Sequence, residues 1–326
     1  MPIFPWSLDD LQTGALRLDC VRLTGGFTVL PACRALRLCA QRGRGHDLRN
    51  RHRHRPGGGG TARRRKPRGL AVGLDARWLY VSDQPHNSLQ LVDLAGKKLG
   101  AAVALGESPE GVSISPDGHW VVAAVEGKND IAVIDTRSNA LAFSIKVHGK
   151  NPEHAVFSPN GRLLFVSAEE GDAVDIIDFG ARKQVAQVAV GARPRGIGFL
   201  PDSSRAYVAT ENANEVFVID TVKFAILARV KAGLRANGIA VHPSGKQVYV
   251  SNGGDGSVSV IDTASNQIVA TIPVGQRPWN MALTPDGKKL YVANGRSNSV
   301  SVIDTVKQVK LRDIAVGKLP WGVAIR

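Results

Sequence analysis

From about residue 67 onward, short apolar runs alternate with polar residues, and almost every run is closed by a turn signal. One stretch shows the unit. Trp279–Thr284 alternates and ends in Pro285-Asp286-Gly287, a tight-turn signature; Lys289–Ala293 is a second strand, and the polar loop Asn294–Asn298 follows. Ser299–Asp304 and Val309–Val316 supply a third and a fourth strand. The two-residue alternation excludes helical repeats. The unit recurs in register. A proline anchor stands at Pro67, Pro109, Pro152, Pro194, Pro278 and Pro320, with Ala236 holding the same place in the fifth unit. The aspartate closing the third strand falls at Asp93, Asp135, Asp178, Asp220, Asp262 and Asp304, and the hairpin turn at Asp75, Asp117, Asn160, Asp202, Ser244 and Asp286. Steps of 42 or 43 residues carrying four antiparallel strands are the period of a propeller blade. Six complete units run from Pro67 to Leu319, and Trp321–Arg326 adds the first strand of a seventh. The expected fold is all-β, a seven-bladed β-propeller over residues 66–326 with six complete blades and an incomplete closing blade.

Composition changes the reading of the first 65 residues. The chain has 42 Lys+Arg against 28 Asp+Glu, a formal charge of +14. Residues 1–66 carry +10 of it (14 basic, 4 acidic), which leaves +4 for the rest, so a nucleic-acid partner is disfavoured for the propeller itself. The early segment is Arg/Gly/His-rich where strands two to four of the closing blade belong. It reads as a disordered basic arm or as an out-of-frame translation. Moved forward by one nucleotide, codons for Leu48–Arg64 are compatible with S-V-I-D-T-A-T-D-Q-V-V-A-E-L-R-A-G, whose aspartate falls at Arg51, 42 positions before Asp93. Leu38 and Cys39 likewise permit Tyr and Val, 42 positions before Tyr80 and Val81. Taken as printed, the chain predicts an open ring with Trp321–Arg326 as an unsupported edge, and any export signal would lie upstream in the other frame. No secretory leader is readable at Met1, and no apolar run is long enough to span a membrane. Cys20, Cys33 and Cys39 all lie in the early segment, which excludes a disulfide framework or a cysteine metal site in the propeller.

The residues also carry a family resemblance. Leu79-Tyr80-Val81-Ser82-Asp83, Val248-Tyr249-Val250-Ser251-Asn252 and Leu290-Tyr291-Val292-Ala293-Asn294, each followed by Val-Ile-Asp-Thr or Leu-Val-Asp, resemble the YVTN-repeat β-propellers. Arg277-Pro278-Trp279-Asn280 and Leu319-Pro320-Trp321-Gly322 are similar to motifs of the propellers associated with pyrroloquinoline-quinone (PQQ)-dependent catabolism. That resemblance implies a non-catalytic, periplasmic binding scaffold, a monomer without a cofactor of its own, linked to a quinoprotein dehydrogenase system. The alternative is a lactonase-like hydrolase, by fold analogy.

First strands of a propeller line the central channel. The residues after each anchor therefore ring its mouth: Arg68, Glu110, Glu153, Arg195, Asn237, Trp279 and Trp321, with His154 and Asn280 adjacent and Arg193, Arg235 and Arg277 just before the anchors. Here the repeats diverge into charge and aromatics while the framework stays constant. Either the groups clamp a small polar or anionic ligand, or a protein partner, at this face, or they pair with one another between blades. The lactonase alternative uses the Glu, Arg and His members of this set. Glu126, Glu169 and Glu211 belong to an acidic face made by the loops before the anchors and those between strands two and three. The third-strand aspartates read as turn-amide acceptors, and His86, His119, His148, His154 and His242 show no metal-ligand spacing. Gly253-Gly254-Asp255-Gly256 has no helix behind it to cradle a phosphate.

Overall fold

A computed structural model describes strands at 21–23, 27–30 and 37–41, and the chain continuously from Lys66 to Arg326. The Arg/Gly/His-rich run at 42–65, on which the out-of-frame reading turns, lies outside the described residues. The architecture is a propeller of four-stranded antiparallel sheets. Six take their strands consecutively, from Pro67–Val72, Trp78–Asp83, Ser88–Asp93 and Lys98–Ala104 in the first blade to Pro278–Leu283, Lys289–Asn294, Ser299–Asp304 and Val309–Ala315 in the sixth. Helix is limited to two three-residue 3-10 turns, Gln84–His86 and Glu126–Lys128, among the described residues.

Turn chemistry sets the beat that was legible as a repeat. Asp75, Asp117, Asn160, Asp202 and Asp286 accept the backbone N–H two residues on, so each closes the hairpin between strands one and two. Asp135, Asp220, Asp262 and Asp304 accept the amides that follow them in the turn between strands three and four. The next hydroxyl, at Thr136, Thr221, Thr263 and Thr305, donates to a carbonyl of the first hairpin and ties the two turns of one blade together. Between blades lie apolar clusters of Val, Ile, Leu and Phe, with Tyr80, Tyr207, Tyr249 and Tyr291 fully enclosed. Each such side chain contributes roughly 1.5–3 kcal/mol on burial.

A seventh sheet closes the ring. Its order is Val21–Leu23, Phe27–Leu30, Arg37–Gln41, Pro320–Ile325, so its outer strands come from the amino-terminal side and its innermost from the carboxy-terminal side. The pairs Val323↔Cys39 and Ala324↔Leu38 reproduce Leu70↔Val81 and Ala71↔Tyr80 of the first blade. Leu38 and Cys39 thus stand where the 42-residue spacing puts strand two. The expected unsupported edge is corrected: Pro320–Ile325 pairs along its length. This blade is still the reduced one, with outer strands of three, four and five residues. The other blades run outward along the chain, whereas this one runs inward from its rim.

Candidate active site at the channel mouth

Every first strand carries an irregularity just after its anchor. Pro67 pairs with Asp83 and Leu70 with Val81, so three steps on one strand face two on the other, and the same shift recurs at Pro109, Pro194, Ala236 and Pro278. At Pro152 and Pro320 two steps face one. A bulge re-aims side chains at the end of a sheet. It turns Arg68, Glu110, Glu153, Arg195, Asn237 and Trp279 to the channel mouth. The residue before the anchor is held in the left-handed region at Ser108, Asn151, Arg193, Arg235, Arg277 and Leu319. For a bulky arginine that conformation costs on the order of 1 kcal/mol, and such strain concentrates at functional sites.

A second ring of side chains escaped sequence reasoning as site residues. The first residue after strand two is Gln84, Glu126, Glu169, Glu211, Gly253 and Gly295, all at the 42–43-residue spacing. Its backbone N–H donates to the carbonyl of the residue before the anchor, at 3.2 Å for Glu126→Ser108, 2.9 Å for Glu169→Asn151 and 2.8 Å for Glu211→Arg193. That bond folds each loop inward and makes it channel wall. The acidic loop face of Glu126, Glu169 and Glu211 is therefore part of the mouth.

The predicted residues do come together. Arg195 is the hub: its Nη1 lies 2.6 Å from both Glu153 Oε1 and Glu169 Oε2, and its Nε donates to Glu211 Oε2 at 3.0 Å. Glu211 is fully enclosed, at 0% exposure, and also receives Arg235 Nε at 3.0 Å and Arg277 Nη2 at 2.7 Å on its other oxygen. Arg193 pairs with Glu169 and reaches Glu211 at 3.4 Å. On the opposite side, Arg68 Nε donates to Glu110 at 2.7 Å, Gln84 donates to the same carboxylate at 2.6 Å, and Ser108 Oγ donates to Glu126 at 2.5 Å. Trp279 and Trp321 meet with ring centroids 4.4 Å apart, flanked by the Arg277 and Arg68 guanidiniums. Trp279 lies against Gly295, where any Cβ would sit 2.5 Å from its ring.

Beneath this network is a chamber of about 160 Å³ lined by Arg68, His154, Asn280, Met281 and Trp321 among first-strand glycines. His154 and Asn280 stand where the other blades have Gly69, Gly111, Gly196, Gly238 and Gly322. His154 Nδ1 has no hydrogen-bond partner, and neither has Nδ2 of the buried Asn237.

Charge divides the mouth into sectors. Four arginines (Arg193, Arg195, Arg235, Arg277) converge on the two carboxylates Glu169 and Glu211, and two of them reach solvent, Arg193 at 38% and Arg235 at 50% side-chain exposure. Opposite, Glu110, Glu126 and Glu153 each bring an oxygen within 4.8 Å of the others. That trio has the donor set of a cation site, but Arg68 on Glu110 and Arg195 on Glu153 already supply positive charge there. Burial, then Glu153, pushes Glu110 well up, and burial raises Glu126. Burial and then Glu153 push Glu169 up to about 7 despite two arginines. Burial opposes ionisation of Glu153 and Glu211 as well, yet the adjacent arginines prevail, holding Glu153 at about 2 and Glu211 below its usual range. His154 falls to about 4 because burial disfavours the imidazolium.

The raised Glu169 has a stability consequence. Its protonated form is compatible with the fold, so its contribution is complete below the ordinary value of 4.5 and is lost as pH rises toward about 7. Between pH 5 and pH 8 the melting temperature of the parent should fall by roughly 5 °C more than that of Glu169→Gln, which keeps only the raised Glu110 and Glu126. Parallel slopes in a thermal-shift series would contradict the assignment.

The sequence matches the model of the lactonase, 7-bladed beta-propeller family over residues 104–183 and 178–315. No curated protein sequence matches the chain. Among solved structures it is similar to the hydrazine synthase of Kuenenia stuttgartiensis (26% identity, TM-score 0.68, 74% of this chain and 84% of that one). A functionally unknown protein of Desulfotomaculum acetoxidans is similar at 19% identity and TM-score 0.68, over 80% of this chain and 89% of that one. A protein of Bacteroides uniformis described as a candidate 6-phosphogluconolactonase is similar at 20% identity and TM-score 0.68, over 80% and 88%. The last two likenesses speak to the fold alone. The family match overturns the expectation of a non-catalytic scaffold, and the PQQ-associated resemblance finds no support in these comparisons. That resemblance rests on two short Trp motifs, and here Trp279 and Trp321 are buried and pack against each other.

Proposed function

We propose, on the premise that the chain belongs to the seven-bladed lactonase β-propeller family, that it hydrolyses a lactone bearing an anionic group at the channel mouth. The observation that carries this reading is the uneven charge of the mouth: the solvent-facing guanidiniums of Arg193 and Arg235 on one side, the carboxyls of Glu110 and Glu126, which hold their protons more tightly than usual, on the other. The substituent pairs with Arg193 and Arg235. The chamber below has room for water, and His154, which lines it and is neutral at physiological pH, accepts a proton from that water as it attacks the carbonyl carbon. The Arg68 guanidinium in the chamber wall stabilises the negative charge that develops on the carbonyl oxygen. Glu153 and Arg195 hold the surrounding groups in register.

The test is a pH-stat assay over carboxylated, phosphorylated and neutral lactones. Turnover of an anionic lactone is expected. Arg235→Ala should raise its KM about tenfold or more and leave neutral lactones unaffected, because a solvent-facing charge pair is lost without unpairing a buried carboxylate. No turnover of any lactone would overturn the reading.

A further inference from the structure

Hydrolysis of a lactone needs a second proton transfer, to the ring oxygen that leaves the acyl carbon, and the groups considered so far leave that donor unassigned. Three observations converge on one side chain. Glu169 and Glu153 each place an oxygen 2.6 Å from the same nitrogen of Arg195, which sets their two carboxyls side by side. Two carboxyl groups set together on one cation share a proton, since both cannot ionise at close range. Their access differs. Glu153 is sealed beneath the ring at 1% side-chain exposure, whereas Glu169 comes from the loop after strand two and retains 12%, so it alone reaches both its partner and the mouth. Finally, Arg193, one of the two solvent-facing arginines, also pairs with Glu169, which puts its carboxyl beside the place assigned to the substrate's anion.

We propose that Glu169 donates the proton to the leaving ring oxygen, with Glu153 as the ionised partner that keeps this proton in place and Arg195 as the residue that positions the two carboxyls. The step balances without a co-reactant. Water oxygen bonds to the carbonyl carbon as His154 takes one proton. The ring C–O bond then breaks, its electron pair goes to the ring oxygen, and that oxygen takes the proton of Glu169. The product carboxylic acid ionises, His154 sheds its proton, and Glu169 regains one through the mouth. The charged groups that face Glu169 are Glu153, Arg193 and Arg195, and the spread between its affinity for a proton and that of Glu153 is the separation an acid and its partner require.

The inference rests on the lactonase reading and is separable from it. Two probes differ in their leaving oxygen: a carboxylated γ-butyrolactone, which expels an alkoxide, and a carboxylated dihydrocoumarin, which expels a phenoxide needing little protonation. Glu169→Gln should lower kcat/KM on the first about 100-fold and on the second no more than about fivefold. The parent's rate on the first should decline above about pH 7 as Glu169 ionises, and that limb should vanish in the variant. Glu169→Asp should recover part of the loss on the first probe. Equal losses on both probes, or no loss on either, in a folded Glu169→Gln protein would overturn the assignment and leave the lactonase reading standing. A parent protein that turns over neither probe would remove both.

Discussion

Arg195→Met should unfold the protein some 10 °C earlier and abolish turnover. The guanidinium it removes is almost fully enclosed and faces Glu153, Glu169 and Glu211, two of which are themselves fully buried. Removing one partner of a buried charge network leaves the others uncompensated, which costs about 3–5 kcal/mol, and a domain of this size loses roughly 2–4 °C per kcal/mol. Glu153 is ionised chiefly because Arg195 and Arg68 outweigh its burial, so the variant should protonate it at neutral pH. The double change Arg195→Met with Glu153→Gln should regain a third or more of the lost stability, because a glutamine avoids the cost of taking up that proton at neutral pH, and should regain no activity. Calorimetry of the three proteins decides this. A single variant that melts within a degree of the parent would show that the carboxylates find other partners and that Arg195 is no hub.

The second large effect concerns a residue with no side chain. A Cβ on Gly196 would lie 2.5 Å from the carbonyl oxygen of Asn237 and 2.9 Å from the amide nitrogen of Ile239, both backbone atoms of the next blade's first strand. Gly69, Gly111 and Gly238 meet their neighbours at similar range, so first strands approach backbone to backbone around the channel. Gly196→Ala must push two blades apart at their inner edge, at a cost of about 1–3 kcal/mol. It should also displace Arg195 and with it the carboxyl pair, so kcat should fall more than tenfold. Gly180→Ala is the control. Its Cβ would meet only the Asp178 carboxylate, at an ordinary 3.5 Å, and it should melt at or slightly above the parent temperature. Equal melting of the two alanine variants would refute the close-approach account.

How far the molecule could be read in advance follows from where its chemistry sits. Asp75, Asp117 and Asp286 announce hairpins because their side chains bond local backbone, and such bonds depend on neighbours in sequence alone. Arg68, Glu110 and Arg195 were found because they interrupt a uniform repeat at a bulge. Glu169 and Glu211 were assigned to the right face but not to the site. In sequence each opens a polar loop and looks solvated; only the backbone bond to Asn151 or Arg193 turns it inward. The 42-residue comparison of 84, 126, 169, 211, 253 and 295 would have shown three consecutive glutamates, and that signal was present. The pairing of Pro320–Ile325 with Arg37–Gln41 was legible from spacing alone, Leu38 and Cys39 falling 42 positions before Tyr80 and Val81. Ring closure joins residues about 280 positions apart, and nothing local in Arg37-Leu38-Cys39-Ala40-Gln41 marks it as a second strand.

That same closure sets a clock. Translation delivers the chain at roughly 5–20 residues per second, so Arg37–Gln41 emerges on the order of half a minute before the strand that completes its sheet. Through that interval the growing ring is an arc, and Arg68 waits for the indole of Trp321 that will lie beneath its guanidinium. The mouth, assembled from both ends of the arc, acquires its final wall last. A nascent chain of this kind lacks a finished mouth until Pro320–Ile325 has emerged and paired with Arg37–Gln41.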